Sequence, residues 1–181
     1  MDSDRLFVLT GGPGSGKTTL IEALAAAGVA TSPEVGRAVI REQLATGGNA
    51  LPWADQQAFA ELMVVRDMAA REAALAGGVV TMLDRGVPDV AGFLRVSGLP
   101  VPPHIDEAAR TCRYNPRVFI APFWPEIFTG DAERKQSPDV AEATFAVMVA
   151  TYRSYDYELI ELPRTSIAER VAFVVDRIGF K

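Results

Sequence analysis

Residues 11–18 read Gly11-Gly12-Pro13-Gly14-Ser15-Gly16-Lys17-Thr18, and the residue types suit one task, holding a phosphate chain. Glycines let the backbone curl so that successive N–H groups converge on an anion, the pattern G-x-x-x-x-G-K-[ST] of a phosphate-binding loop. The Lys17 ammonium can follow the β- and γ-oxygens of a nucleoside triphosphate, and the Thr18 hydroxyl is placed to hold Mg²⁺. Gly11, Gly12, Gly14, Ser15, Gly16, Lys17, Thr18 and Thr19 are therefore the expected nucleotide-binding residues. The flanks fit. Arg5-Leu6-Phe7-Val8-Leu9-Thr10 is a short apolar run that reads as a buried strand, and Thr18–Ala27 is a helix-forming run closed by Gly28. A helix opening at the loop adds the field of its N-terminus.

Phosphate chemistry also needs acids. Val79-Val-Thr-Met-Leu-Asp84 is an apolar run ending in a carboxylate, directly followed by Arg85. Asp84 can hold a metal's water shell or polarise an attacking hydroxyl. The competing structural use is to cap a helix beginning near Pro88, or simply to pair with Arg85. The strand-end position favours function, because ligands gather there in open α/β sheets. Glu34 is the second acid, with Arg37 and Arg41 following on the same helix face. A carboxylate beside two guanidiniums suits a substrate hydroxyl with phosphate charge nearby. Thr31-Ser-Pro-Glu34 also spells a helix-capping box with Pro33 at a favoured start position, and both uses can coexist.

Further along, Pro122-Phe-Trp-Pro125 leads into Asp131-Ala-Glu-Arg134-Lys135. In a phosphotransferase such a segment, about residues 125–138, reads as a lid whose Arg134 or Lys135 closes on the transferred phosphate. An ordinary solvated charge run explains it equally. Gln56, Gln57 and Phe59 could line an acceptor pocket, whereas Trp53, Trp124 and Cys112 read as packing residues. His104, in a proline-rich loop, is a poor catalyst candidate.

The elements that must position these residues alternate. Apolar runs at Leu6–Thr10, Val29–Ala30, Val79–Asp84, Val118–Ala121 and Glu158–Leu162 predict five strands. Helical patterns fall between them: Val35–Ala45, Ala54–Ala76 with Phe59, Leu62, Met63 and Met68 at helical spacing, Pro88–Val96, Ile105–Cys112, Ala141–Tyr155 and Ser166–Ile178. Ser166-Ile-Ala-Glu169 is a capping box for the last of these. Strand–helix alternation predicts one α/β P-loop NTPase domain over residues 1–181, a five-stranded parallel sheet with helices on both faces.

Composition narrows the partners. The 181 residues are 49% hydrophobic, enough for one well-buried core and too few for two large ones. A net charge of −5 gives no diffuse positive field for nucleic acid or an acidic membrane. The single cysteine and single histidine exclude an internal disulfide and a Cys/His zinc set. No signal peptide or membrane span is visible, and a reducing, cytoplasmic setting is expected.

Together, Gly11–Thr18, Pro33-Glu34 with Arg37, Asp84-Arg85-Gly86 with Asp89, and the aromatic–proline segment before Asp131-x-x-Arg134 resemble the P-loop kinase-like family that includes the ribosylnicotinamide kinase domain, grouped with AAA-type ATPases. The Pro-Glu and Asp-Arg pieces are also similar to those of deoxynucleoside kinases. That resemblance implies Glu34 as general base, Asp84 as Mg²⁺ partner with Thr18, and ATP as phosphoryl donor. Lys17, Glu34, Asp84 and Arg134 are thus the expected catalytic set. Glu34, Arg37, Arg41 and Arg85 are the expected contacts to a small nucleoside-like or nucleotide-like acceptor. The guanine-reading Asn-Lys-x-Asp of GTPases is absent, since Asn49 and Asn115 precede Ala50 and Pro116. The alternative is a P-loop ATPase or nucleotide-binding regulatory module without a small-molecule acceptor.

Overall fold

Alternation along the first strand sets the architecture. Leu6 and Val8 point into one apolar core while Phe7 and Leu9 point into another. A strand buried on both faces must lie in the middle of a covered parallel sheet. The computed structural model, which describes residues 2–127 and 138–180, shows that arrangement. Strands β1 (Leu6–Gly11), β2 (Ala30–Ser32), β3 (Thr81–Asp84), β4 (Arg117–Ala121) and β5 (Glu158–Glu161) form one sheet in the order β2-β3-β1-β4-β5. All four pairings are parallel, with Leu9 opposite Asp84 on one side and opposite Phe119 on the other.

Helices cover both faces. Helices α1 (Lys17–Ala26) and α7 (Ile167–Ile178) pack Leu20, Leu24, Val174 and Ile178 onto Phe7, Met82 and Phe119. On the other face lie α2 (Val35–Thr46), α3 (Gln56–Gly77), α4 (Val87–Val96), α5 (Pro103–Thr111) and α6 (Pro138–Ser154). They supply Ile40, Phe59, Val90, Ile105 and Tyr152 to the larger core. The single five-stranded α/β domain expected from the sequence is therefore what forms.

Three differences from the sequence reading have physical causes. Strand β3 begins at Thr81, not Val79, which is left 53% exposed before pairing with β1 begins. Strand β2 is Ala30–Ser32 and takes two polar residues, because it lies at the sheet edge and pairs only with β3. The buried stripe of α3 runs Phe59, Met63, Asp67, while Met68 is exposed. Steps of four residues keep those three side chains on one face, so a carboxyl occupies a place where an apolar side chain was expected. No helix among the described residues is long and apolar enough to cross a membrane.

Candidate active site

The phosphate loop joins the central strand β1 to α1. Gly16 takes φ 79°, the left-handed region where a Cβ is costly, and turns the chain into the helix. Gly11 is fixed by both torsion and contact: its φ is 132°, and a Cβ there would meet the Ala121 carbonyl oxygen of β4 at 2.5 Å. Lys17 is buried and lies back over the loop, its Nζ donating to the Gly12 carbonyl at 2.5 Å and to Ser15 Oγ at 3.2 Å. Those oxygens hold the ammonium in position above the anion cradle. Thr18 and Thr19 are exposed at the start of α1. Residues 13–19 line a cavity of about 710 Å³ that also takes in Glu34, Arg37, Arg85, Trp124 and Arg170. Gly11 and Gly12 stand behind it as packing residues of the β1 end, with Gly12 tight against the Ala141 carbonyl.

Glu34 does not cap α2. It occupies the N-cap position in extended conformation, but its side chain makes no cap hydrogen bond. The expected Thr31–Glu34 capping box is thus corrected: the helix begins one residue after Glu34, which puts the carboxylate at the N-cap instead of three residues into the helix, too early to serve the box. It instead accepts from Arg37 Nε at 2.7 Å and from Arg85 Nε at 3.2 Å, with only 6% of the side chain exposed. Arg41, expected beside them, is exposed and lines neither cavity, so α2 carries it away from the site.

Arg85 is the hub. It adopts φ 76°, rare for a residue with a side chain, and this turn aims its guanidinium back across the end of the sheet. There it donates to Glu34, to the Gly11 carbonyl at 3.2 Å and to Asp89 Oδ1 at 3.1 Å. Burial opposes its charge, but Glu34, Asp89 and Asp84 outweigh that and hold its pKa above the ordinary value. Asp89 is fixed in turn by Thr10 Oγ1 at 2.6 Å, Tyr152 Oη at 2.5 Å and the Gly86 N–H at 3.1 Å. Asp89, not Asp84, therefore serves the N-terminus of α4.

That leaves Asp84 without a structural task. It ends β3, is buried, and its Oδ1 has no hydrogen-bond partner among the described residues. Burial, then the Glu34 carboxylate, raise its pKa to about 6, against the pull of Arg85 and Lys17. An orphaned buried carboxylate oxygen close to the phosphate loop fits the water shell of a hard cation. Among the described residues no three acids, histidines or cysteines cluster tightly enough to bind a metal by themselves. Mg²⁺ here would need phosphate oxygens as partners, as it commonly does.

A second cavity, of about 820 Å³, meets the first at Pro13, Glu34 and Arg85. Its walls are largely apolar and include Phe59 and Phe93, packed edge to face at 5.3 Å. Gln56 and Phe59 line it as expected, and Gln57 does not. Trp53, read as packing, is 56% exposed at its mouth, and Trp124, read the same way, lines the first cavity against Arg170 at 5.2 Å. Cys112 packs against the larger core, and exposed His104 meets Glu61 away from both cavities. Arg134 and Lys135 lie outside the described residues.

Sequence reasoning missed Arg170 and Asp67. Arg170 is 2% exposed, donates from Nη1 to the Ser15 carbonyl at 3.2 Å and from Nε to the Pro163 carbonyl at 2.9 Å, and so ties α7 to the phosphate loop. Asp67 lines the second cavity. Each was marked by a charged residue on a buried four-spaced stripe, Arg170-Val174-Ile178 and Phe59-Met63-Asp67.

Residues 6–170 match the family model described as AAA domain. The chain belongs to that family. No curated protein matches this AAA-domain chain in sequence. Its fold is similar to that of the NadR protein solved in complex with NR, at TM-score 0.76 and 15% identity over 99% of this chain. This domain spans about half of that protein, 53% of its chain. Deoxyadenosine kinase from M. mycoides, with products dCMP and dCDP bound, superposes at TM-score 0.65 and 14% identity, covering 96% of this chain and 98% of that one. Thymidylate kinase from Ehrlichia chaffeensis gives 0.63 and 14%, covering 98% and 100%. All three share the P-loop kinase fold with this family member.

Proposed function

We propose that this chain is an ATP- and Mg²⁺-dependent phosphotransferase that phosphorylates a small, nucleoside-like acceptor. One observation carries the reading: two cavities, one on the phosphate loop and one apolar, meet at Glu34 and Arg85. A donor triphosphate and a separate acceptor can thus face each other across that pair. The kinase fold of the similar structures supports the same class.

The residues divide the work. The loop N–H groups and Lys17 hold the donor phosphates, Lys17 exchanging its Gly12 and Ser15 oxygens for phosphate oxygens. Glu34 takes the proton of the attacking acceptor hydroxyl, a role worth about 10²–10⁴-fold. Arg37 and Arg85 orient Glu34 and place positive charge beside the phosphoryl group in flight. Thr18 and Asp84 are the residues that would hold Mg²⁺, whose charge offsets that of the phosphates. Arg134 completes the proposed set as a lid cation.

The test is ADP release by the purified chain with ATP and Mg²⁺, measured against nucleosides, ribosylnicotinamide and nucleoside monophosphates. Acceptor-dependent release with a phosphorylated product supports the reading. Release that no acceptor changes would replace it with an ATPase.

A further inference from the structure

Asp67 is the least expected side chain of the apolar cavity. It is 6% exposed and makes no hydrogen bond or ion pair with any other described residue. Its neighbours on the α3 stripe are Phe59 and Met63, so nothing local satisfies it. A buried carboxyl without a protein partner costs stability unless something else satisfies it, and one that lines a cavity is open to a ligand bound there. The charged residues lining this cavity are Glu34, Asp67, Asp89 and Arg85. That is three carboxyls against one guanidinium, and Arg85 is already shared by Glu34 and Asp89.

We propose that Asp67 is the specificity-determining contact to the acceptor, binding an N–H donor on the end remote from the reacting hydroxyl, and that the cavity selects an unphosphorylated, amine- or amide-bearing acceptor over its phosphomonoester. The proposal rests on the kinase reading and names the acceptor class within it. A phosphomonoester entering here meets a lining with three carboxyls and a single guanidinium that two of them already share, whereas an N–H group finds the acceptor oxygen it needs. Burial, and then the Asp89 carboxylate, raise the Asp67 pKa well above the ordinary range. A protonated carboxyl offers one O–H donor beside one acceptor oxygen, the complement of an amide or amino-heterocycle edge. The aromatic pair Phe59 and Phe93 flanks the space such a flat group would fill.

The experiment uses the full chain and its Asp67→Asn and Asp67→Leu variants. Probes are cytidine against 2-pyrimidinone riboside, adenosine against purine riboside, and the 5′-monophosphates of cytidine and adenosine. Readouts are kcat and KM for each acceptor, the Kd for ATP, and the melting temperature. At least one amine-bearing nucleoside should exceed both its amine-free analogue and its monophosphate by about tenfold or more in kcat/KM. Both variants should lose that amine preference through KM, keep the Kd for ATP, and melt at or above the wild-type temperature. Retained preference in Asp67→Leu, a better monophosphate acceptor, or lower melting without a change in KM would overturn the proposal and leave the kinase standing. ATP binding with no acceptor-dependent ADP release from any probe would overturn the kinase reading, and this proposal with it.

Discussion

At the scale of single residues, the site turns on what each carboxylate is tied to. Asp89 receives bonds from four groups and is structural, whereas Asp84 keeps an orphaned oxygen and Glu34 faces the junction of both cavities. Glu34→Gln keeps the shape and removes the proposed base. Turnover should fall about a hundredfold or more with an unchanged melting temperature; a fully active Gln variant would move the base elsewhere, with Asp84 next. Asp84 gives a pH test on the ligand-free protein. Its folded pKa lies at about 6 against an ordinary 3.8. A raised carboxyl pKa contributes stability below pH about 4 and loses it as pH rises through about 6, up to about 3 kcal/mol in all. Urea unfolding between pH 4 and 7 should show Asp84→Asn without that component. Parallel pH dependences in the two proteins would contradict it.

At the scale of elements, helix ends decide what the cavities are made of. Helix α7 begins with the Ser166–Glu169 capping box, in which Ser166 Oγ donates to Glu169 at 2.6 Å and accepts from the Glu169 N–H at 3.4 Å. Thr165, Ser166 and Ile167 line the cavity over the phosphate loop, so the cap also shapes the site. Ser166→Ala should cost about 1 kcal/mol of stability and weaken ATP binding in titration calorimetry, with kcat little affected. Helix α2 is the contrasting case. Its start looked like a second capping box, but the helix opens at Val35 and its first acid turns into the site. Four-spaced stripes on α3 and α7 held the other signal. Strongly polar Asp67 and Arg170 sit where periodicity demands burial, and such conflicts concentrate at functional positions.

At the scale of the whole molecule, Arg170 shows how distant segments make one site. Its guanidinium links α7 to the phosphate loop across 155 residues, and Trp124 after β4 packs over it. Arg170→Ala leaves the Ser15 and Pro163 carbonyls without that donor. The melting temperature should fall with a loss of about 1–3 kcal/mol, and ATP affinity should fall too, both measurable by thermal melts with and without nucleotide. An unshifted melt would mean that the link holds nothing.

The sequence by itself determined the local chemistry and the layer order. Gly11–Thr18 announces an anion cradle because glycine torsions and a lysine at fixed spacing are properties of the chain alone. The alternation of apolar runs with helical periods likewise dictates a covered parallel sheet, with boundaries off by up to three residues. What only the tertiary structure decided is which charged groups meet. Glu34 and Arg85 lie 51 positions apart and Thr10 and Asp89 lie 79 apart, yet each pair is hydrogen-bonded. Their meeting depends on β3 lying beside β1 and on the left-handed turn at Arg85. Arg41 was excluded and Asp67 brought in for the same reason: a helix period fixes which residues share a face, but only packing fixes which face looks into a cavity.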